Sequence, residues 1–249
     1  MKKIMLRIAA ALFAFALIGF ILTFANAFMG NPISSAIATS KIKTYVKDTY
    51  PQMDLTISKA SYNFKISGYG CRIASKTSMD TNFYVSYSGG RINDDYEYEV
   101  ANCFTTYRRL QSEFEEVVEA ILAKEFPYET SMVLADYTKE AEFTNLTLDM
   151  KLDVTNPPLT TQLSVYTSAT QLTYEEMAKR LLELDKIMKN HSIPINLYSL
   201  VLEKYDNADE KPSQRLHLYE FPESKLASDD LIAAMKGYIT DWESPSKEK

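Results

Sequence analysis

The chain of 249 residues is poor in the side chains that most often carry chemistry in enzymes, with only two histidines and two cysteines. His191 follows a predicted helix and His217 lies inside a predicted strand, and neither has a second ligand at the spacing of a metal site. The Gly-x-Ser-x-Gly elbow of serine hydrolases is absent as well. The sequence therefore predicts no catalytic residue, no metal ion and no cofactor.

The scarcity of cysteine also limits redox chemistry, because Cys71 and Cys103 do not form a Cys-x-x-Cys pair. In an exported chain the two residues could be joined in one disulfide. Two buried thiols that act as small apolar residues are the alternative, because a sequence does not show the distance between their Cα atoms. Both alternatives stay open at this point.

The chain as a whole has no excess of positive charge. The net charge is −6, and it becomes −9 for the residues that follow Lys2, Lys3 and Arg7. An acidic chain is repelled by the phosphates of nucleic acids and by anionic lipid head groups. We therefore expect no nucleic-acid partner, and no anionic lipid as a ligand.

One long apolar run is present at the N-terminus. From Ile8 to Phe24 there are 17 residues without a charge, whereas the apolar core of a signal peptide has about 7–15 residues and a spanning helix about 17–25. This length favours a single-pass membrane anchor. Cleavage after Ala27, at the small-residue triplet Ala25-Asn26-Ala27, is the alternative and would give a secreted protein. In both cases the basic residues ahead of the run predict a cytoplasmic N-terminus and extracytoplasmic C-terminal domains.

Residues 31–126 have the pattern of a small α+β domain. Asn31-Pro32 predicts the start of a helix that Pro51 ends. The alternation of apolar residues then predicts about four antiparallel strands, with a bulge or turn near Ser58-Lys59 and a break at Gly68-Tyr69-Gly70. The strands are expected at 53–66, 71–75, 83–87 and 92–98. A closing helix is predicted from an apolar face made of Cys103, Tyr107, Leu110, Phe114, Val117 and Ile121.

Residues 127–243 have the pattern of a second α+β domain. Strict alternation from Leu146 to Val154 predicts its first strand, and Leu163 and Val165 begin the return strand. Thr173 and Glu176 predict a capping box at the start of a helix. A hairpin of strands 195–205 and 214–221, with Asp206, Asp209 and Glu210 in its tip, and a last helix opened by Ser228, Asp229 and Asp230 complete the prediction.

The predicted fold class is thus α+β. An N-terminal transmembrane helix within residues 1–30 is followed by two small domains, 31–126 and 127–243, each an antiparallel sheet packed with helices. Residues 244–249 are expected to form a disordered tail.

The densest acidic cluster consists of Asp94, Asp95, Glu97 and Glu99. Two carboxylates can carry out glycoside hydrolysis, and hard oxygen ligands suit calcium. Glu97 and Glu99 alternate with tyrosines in the manner of a strand, so we expect a row of solvated side chains.

Tyrosine is the one residue in excess, with 17 copies. A tyrosine offers a flat apolar ring with a polar end, which suits the binding of peptides or sugars as well as the packing of sheets. Several tyrosines of the first domain fall on predicted strands and could share a surface, which makes them the predicted ligand-binding residues. They are Tyr62, Tyr69, Tyr84, Tyr87, Tyr96 and Tyr98.

Several short motifs in the first half are similar to those of the YfjL-like proteins of Gram-positive bacteria. The motifs are Gly30-Asn31-Pro32, Tyr50-Pro51, Tyr62-Asn63-Phe64-Lys65, Ser78-Met79-Asp80-Thr81-Asn82-Phe83 and Asp94-Asp95-Tyr96. The resemblance implies a membrane-attached surface protein of uncharacterised function, and it carries over no catalytic residue. The order of helix and sheet also resembles cystatin-like and PepSY-type domains, which are often binding or inhibitory modules.

The leading hypothesis is a non-enzymatic, membrane-anchored extracytoplasmic protein that binds a peptide, a protein or an envelope component through a sheet face or edge. A cell-envelope hydrolase that uses the carboxylates of Asp94 and Asp95 is one alternative. An exported protease inhibitor is another.

Overall fold

The computed structural model describes residues 2–138, 143–206 and 211–243. Contacts within the chain divide it into two compact units, Met1–Thr106 and Tyr107–Lys249. Each unit combines helices with one β-sheet, so the chain has the predicted α+β class. The tail predicted at residues 244–249 lies outside the described residues, as do Asp209 and Glu210 of the predicted hairpin tip.

The first element is helix α1 (Lys2–Met29), whose side chains are exposed over nearly its whole length. Among the described residues, one helical stretch, Lys3–Thr49, is long and apolar enough to cross a membrane, with a mean hydropathy of 2.5 in its apolar window. An anchor and a signal sequence share these properties. The orientation of the chain and its cleavage therefore stay predictions.

Helix α2 (Pro32–Thr49) begins where the sequence predicts. The Asn31 side chain accepts a hydrogen bond of 2.8 Å from the Ser34 amide, and Pro32 occupies the first helical position. The helix ends at Thr49, two residues before Pro51. Both predicted ends of this helix are confirmed.

The first sheet is antiparallel throughout. Strands β1 and β2 both pair with β3, which pairs with β4, and β4 pairs with β5 at the other edge. The interruption between β1 and β2 confirms the break predicted near Ser58-Lys59. The strands are β1 (Leu55–Ile57), β2 (Ser61–Asn63), β3 (Gly68–Ser75), β4 (Asn82–Ser88) and β5 (Arg91–Asp94).

Two details of this sheet correct the sequence analysis. The glycines at 68 and 70 do not interrupt the chain, because both belong to β3. The return strand is shorter than predicted, since β5 ends at Asp94 and residues Glu97–Ala101 form a π-helical turn. The Asp94 carboxylate accepts a hydrogen bond of 2.7 Å from the Tyr96 amide, which turns the backbone away from the sheet. The predicted strand row of Glu97 and Glu99 is therefore wrong.

The core of the first unit lies between α2 and one face of the sheet. Its buried members come from one stripe of α2 and from alternate positions of β3 and β4, as amphipathic patterns require. They include Ala38, Ile42, Val46, Cys71, Ile73, Phe83 and Val85.

The second unit is built on a four-stranded sheet in the order β6-β7-β8-β9. β7 and β8 run parallel because helix α4 connects them as a crossover, so the sheet is mixed where the sequence predicted an antiparallel one. The elements are α3 (Phe104–Glu125), β6 (Thr130–Tyr137), β7 (Thr161–Ser168), α4 (Tyr174–Asn190), β8 (Leu197–Lys204), β9 (Gln214–Pro222) and α5 (Leu231–Glu243).

Helix α3 turns a slightly different face inward from the one predicted. Leu110 and Phe114 are buried, as expected, but the stripe continues at Val118 and Leu122. Val117 and Ile121 are only half-buried. Successive steps of four residues rotate the buried stripe around a helix of 3.6 residues per turn.

The same helix accounts for where the two units divide. The ring of Phe114 stacks on Tyr137 of β6 at 5.1 Å, and the Gln111 amide donates a hydrogen bond of 2.8 Å to Asp136. Most of α3 thus packs within the second unit. The division falls before Tyr107, earlier than the limit expected between residues 126 and 127.

The strand predicted from Leu146 to Val154 is wrong, since this segment consists of turns and irregular backbone. Asp149 has a φ of 61°, which an extended strand does not allow. The Asp153 carboxylate accepts hydrogen bonds from the Thr155 amide and hydroxyl, which closes a turn. The partner of β7 is β6, a strand that the sequence analysis missed.

The predicted helix α4, the hairpin and the start of the last helix are confirmed. Thr173 caps α4 through a hydrogen bond of 3.2 Å from the Glu176 amide, but the Glu176 carboxylate bonds to Arg180, so the structure shows only one of the two bonds of the predicted capping box. Strands β8 and β9 form the predicted antiparallel hairpin. The Asp230 carboxylate accepts a hydrogen bond from the Ala233 amide in the first turn of α5.

Candidate functional site

Three of the six predicted tyrosines lie side by side across the first sheet. Tyr62 of β2 is paired with Tyr69 of β3, which is paired with Tyr87 of β4. Directly paired residues point to the same face of a sheet, and this face is the one against which α2 packs. We call Tyr62, Tyr69 and Tyr87 the tyrosine row.

The other three tyrosines do not join this row. Tyr84 has the opposite parity on β4 and is paired with Arg72, so it lies on the other face of the sheet. Tyr96 packs against Tyr50 with ring centroids 4.8 Å apart. Tyr98 lies in the π-helical turn and is 53% exposed. A single surface made of all six tyrosines is therefore not what the fold provides.

The tyrosine row is bonded to the junction between α1 and α2. The Tyr62 hydroxyl donates a hydrogen bond of 2.8 Å to the carbonyl of Ala27, in the last turn of α1. The Tyr69 hydroxyl accepts one of 2.7 Å from the amide of Asn31 and lies 3.3 Å from the carbonyl oxygen of the same residue. These bonds fix the end of the apolar helix to the sheet of the first unit.

Gly30 makes this close approach feasible. Its φ of 67° lies in the left-handed region that a residue with a side chain rarely adopts. A Cβ atom at this position would lie 2.6 Å from both the Tyr62 ring and the Tyr69 hydroxyl. Glycine therefore serves both the turn of the backbone and the packing of the two rings.

Two adjoining cavities flank the tyrosine row, and both are lined by Tyr69. The larger one, about 390 Å³, lies between the helix junction and β2, with Asn31, Lys59 and Tyr62 in its wall. The smaller one, about 180 Å³, also contains Ile37 and Tyr87. We call the two cavities together the tyrosine cleft.

The tyrosine cleft is suited to binding. Its walls combine tyrosine rings with serine hydroxyls and one lysine, Lys59, which is the mixture that recognises peptides and carbohydrates. The Ser35 hydroxyl is already engaged, since it donates a hydrogen bond of 2.6 Å to the carbonyl of Ala60. The Tyr87 hydroxyl bonds to no other group in the part of the chain that the structure describes, so it is available to a ligand.

Both cysteines are thiols in this structure. Cys71 is completely buried in the core beneath α2, and Cys103 is partly buried just before α3. Burial raises the pKa of the Cys71 thiol, against a smaller opposing effect of Lys43, and burial and Asp80 raise the pKa of the Cys103 thiol. A protonated thiol is a weak nucleophile. A disulfide between the two stays a prediction, which a thiol count on the exported protein would test.

The carboxylate pair of the hydrolase alternative has a structural role in this fold. Besides the Tyr96 amide, the Asp94 carboxylate accepts a hydrogen bond of 2.6 Å from the Tyr50 hydroxyl. Burial and this carboxylate together raise the pKa of Tyr50 well above its usual value. Asp95 accepts a hydrogen bond of 3.2 Å from the Asn93 side chain. Asp94 thus ties the end of α2 to β5.

The second unit has its own polar cavity of about 350 Å³, which includes Asp185, Lys189 and Glu223 in its wall. Lys189 bridges the two carboxylates at 2.8 Å and 2.7 Å, and the hydrogen bonds to Asp185 and Glu223 raise its pKa. The Tyr198 hydroxyl lies 3.2 Å from Asp185. These groups satisfy one another, as the members of a structural ion network do.

The histidines lie where the sequence predicts, His191 at the end of α4 and His217 in β9. His191 contacts Glu125 at 2.7 Å, and His217 stacks on Tyr219 at 5.0 Å. Within the described ranges, no three side chains of His, Cys, Asp or Glu come together as metal ligands would.

The tyrosine row shows what sequence reasoning found and what it missed. All three members were among the predicted residues, because tyrosines on strands are visible in the alternation. The bonds of Tyr62 to Ala27 and of Tyr69 to Asn31 join residues 35 and 38 positions apart, and no local sequence pattern predicts such contacts. The one sign of this junction in the sequence was Gly30, which precedes the helix-capping residue Asn31 and marks a turn of the backbone.

Comparison with known proteins identifies two matching family models. The YfjL-like N-terminal domain matches residues 2–98, and the YfjL-like C-terminal domain matches residues 113–236. No curated protein and no solved structure matches the chain.

Proposed function

Because the chain belongs to the YfjL-like family, we propose that it is a single-pass membrane protein that holds two α+β domains outside the cell membrane and binds a peptide or envelope component in the tyrosine cleft. Its N-terminus is cytoplasmic, because Lys2, Lys3 and Arg7 precede the apolar helix. This binding role requires no catalytic side chain in the cleft.

The observation that carries this proposal is the attachment of the apolar helix to the first sheet. Tyr62 and Tyr69 bond to Ala27 and Asn31, so the first unit includes the end of α1 in its own structure. A signal peptide that is cleaved off would not remain in the mature protein to make these contacts. Cleavage after Ala27 would cut the chain at the residue whose carbonyl accepts the Tyr62 hydrogen bond. These contacts favour retention of the helix.

The binding role is supported by the shape and chemistry of the cleft. Cavities of about 300–1,000 Å³ are typical of ligand sites, and the larger cavity of the tyrosine cleft has about 390 Å³. Its aromatic walls supply contact area at a small cost in conformational entropy. The position of the cleft at the end of α1 would bring it close to components at the membrane surface.

Protease treatment of intact protoplasts tests the topology. We expect added protease to digest the two domains and to leave a short membrane-bound fragment that contains α1. Full protection until the cells are lysed would reverse the topology and overturn the proposal. Mass measurement of the untreated membrane fraction should show an N-terminus ahead of Ala27, because cleavage there would release the chain.

Crosslinking in intact cells tests the cleft. A photoreactive residue at Ser34, in the wall of the smaller cavity, should capture a specific envelope component. We expect Tyr87→Ser to abolish this product. Tyr84→Ser is the matched control, because Tyr84 lies on the same strand but on the opposite face of the sheet. Equal loss in both variants, or no product in the wild type, would argue against a ligand in the cleft.

A further inference from the structure

The first unit exposes apolar side chains next to the end of α1. Phe28 and Met29 close the helix, and one turn of the following helix and the turn between β2 and β3 continue the apolar surface. The exposed fractions of these side chains lie between 43% and 80%. We call them the interfacial patch: Phe28, Met29, Ile33, Ile37, Phe64 and Ile66.

The members of the interfacial patch are neighbours in space. The ring of Phe28 lies 6.4 Å from the ring of Phe64. Ile33 and Ile37 are one turn apart on α2 and share a face. Ile37 and Ser67, which follows Ile66, line the same small cavity. These contacts join the end of α1 to the β2–β3 turn and place Ile37 of α2 beside that turn, so the three elements expose apolar side chains at the same end of the domain.

Phe64 also extends a row of rings that begins inside the apolar helix. Phe20, Phe24 and Phe28 follow one another at spacings of four residues, with centroid distances of 6.3 Å and 4.7 Å. Phe64 is the next ring in this series and belongs to the folded domain. The apolar surface of the helix thus continues onto the sheet without a polar gap at this point.

The length of α1 places this continuation at the edge of the membrane. A helix rises about 1.5 Å per residue, so the distance from Ile8 to Phe28 is about 30 Å, the thickness of the hydrocarbon core. If Ile8 enters the core on the inner side, Phe28 reaches its outer boundary. Tyr62, which bonds to Ala27, then lies at the level where tyrosines of membrane proteins concentrate.

The charge around the patch suits a membrane surface, although the chain as a whole is acidic. From Asn26 to Ser78 the sequence has seven lysines and arginines but only two aspartates. Lys59 and Lys65 are exposed and flank Tyr62 and Phe64 in sequence. The net charge of the whole chain predicted repulsion from anionic lipids. The net charge of residues 26–78 is positive, however, and favours the binding of anionic lipids.

We propose that the first domain docks on the outer surface of the bilayer through the interfacial patch, with Phe64 and Ile66 inserted at the level of the lipid head groups. The domain is then held against the membrane at two points, through α1 and through the β2–β3 turn. This inference rests on the proposed function, since it requires α1 to span the membrane. Its occupant is lipid, and a protein partner for the same surface is the competing outcome.

Quenching of tryptophan fluorescence by brominated lipids tests the docking in the full-length chain. The chain has one tryptophan, Trp242, which is replaced by Phe so that a single reporter can be introduced. The protein is reconstituted in two kinds of vesicles of phosphatidylcholine and phosphatidylglycerol. One carries bromine near the head groups, which reports on the patch, and the other carries bromine deep in the acyl chains, which reports on the middle of α1. Phe64→Trp and, on a different element, Ile37→Trp report on the patch.

Two further reporters make the result unambiguous. Phe15→Trp, in the middle of α1, reports on insertion of the helix by itself. Met79→Trp is the matched control, because Met79 is also a large exposed side chain (66%). It follows β3, whereas Phe64 precedes it, and the eight residues of that strand separate the two positions by about 26 Å.

We expect the emission of the Phe64 and Ile37 reporters to fall about twofold, as for a side chain at the interface, and that of the Met79 reporter to stay unchanged. If the Phe15 reporter is quenched while the Phe64 and Ile37 reporters behave like Met79, docking is refuted, the anchor stands, and the patch is left for a protein. If the Phe15 reporter is not quenched, the proposed membrane anchor itself fails.

Discussion

The two sheets of this protein are stabilised differently. The first is covered by one helix of its unit, α2, and the charged side chains of this unit are mostly exposed, except for Asp80, which is buried and accepts a hydrogen bond of 2.8 Å from Thr106. The second packs with helices α4 and α5 and buries Arg180, Asp185 and Glu203. Each of these buried charges has bonded partners of its own unit. The second unit thus satisfies these buried charges with its own residues, whereas the first unit exposes aromatic and apolar side chains at the end of α1.

The two units differ in which side chains they bury and which they expose. Buried charges are tolerated only when they are paired and hydrogen-bonded, and they then favour one arrangement of the chain. The second unit has this kind of interior. The first unit buries one charged residue, Asp80, and in addition exposes apolar side chains and a tyrosine-lined cleft. Large exposed apolar patches are typical of contact surfaces. Four sets of substitutions would break or sharpen this contrast.

The largest effect is expected for Phe114→Ala in α3, because Phe114 is completely buried and stacks on Tyr137. Removing the ring should lower the free energy of unfolding of the second unit by about 3–5 kcal/mol. Val117→Ala is the control, since the half-buried Val117 should cost less than about 1.5 kcal/mol. Urea unfolding followed by circular dichroism measures both. Similar losses would mean that the face predicted from the sequence is the buried one after all.

The next effect concerns the buried Glu203, which accepts hydrogen bonds from Ser131, Tyr205 and Arg215. Burial opposes its ionisation, but these three donors outweigh it and hold the pKa of the carboxyl below its usual range. Glu203→Gln should cost about 1–3 kcal/mol near neutral pH.

The sign of the pH dependence follows from the lowered pKa of Glu203. The stabilisation is complete above the unfolded value of 4.5 and is lost as the pH falls through the lower folded value. The difference between wild type and Glu203→Gln should therefore shrink below about pH 4.5. A difference that is the same at pH 3 and pH 7 would show that the charge of Glu203 does not matter.

An effect of similar size is expected for Gly70→Ala in β3. A Cβ atom at Gly70 would lie 2.1 Å from the ring of Tyr84, so the ring must move. The cost should be about 1–3 kcal/mol, and Tyr84→Ala in the same chain should remove most of it. Gly237→Ala in α5, where nothing lies within 4 Å of the added atom, should be neutral or slightly stabilising. Thermal unfolding of these three variants and of Tyr84→Ala alone distinguishes these outcomes, and a loss that persists without the Tyr84 ring would refute the steric explanation.

The smallest effect is expected when one helix cap is removed from each unit. Asn31→Ala and Thr173→Ala each remove the acceptor of one amide at the start of a helix, which costs about 1 kcal/mol. Asn31→Ala should in addition loosen the junction with α1, which hydrogen exchange at Gly30, whose amide bonds to the Asn26 carbonyl, would detect. Asn31→Asp keeps an acceptor and should restore stability. An Asp variant as unstable as the Ala variant would mean that the cap is not the cause.

Local signals were the ones that sequence analysis read well. The caps at Asn31 and Thr173, the apolar stripe of α4 and the alternation of β4 each depend on residues a few positions apart. The resemblance to the YfjL-like proteins, which rested on short motifs of the first half, is confirmed by family models that cover nearly the whole chain.

The failures arose where short-range polar bonds or the pairing of distant strands override hydrophobic periodicity. The alternation from Leu146 to Val154 was strict, yet Asp149 and Asp153 turn the backbone and β6 takes the place beside β7. Tyr96 and Tyr98 looked like strand residues, but Asp94 bends the chain first. A polar side chain that bonds the backbone two residues on can end a strand that hydrophobic periodicity alone would continue.

The sequence by itself determined that this chain has an apolar helix of membrane-spanning length, acidic α+β domains behind it, and tyrosines on the strands of the first domain. These properties depend on composition and short periods, which neighbouring residues set. Only the tertiary structure decided that Tyr62, Tyr69 and Tyr87 share one face, that two of them hold the end of α1, and that Phe64 continues its aromatic row. Strand register and long-range hydrogen bonds create these relations, and neither is encoded in any single stretch of the chain.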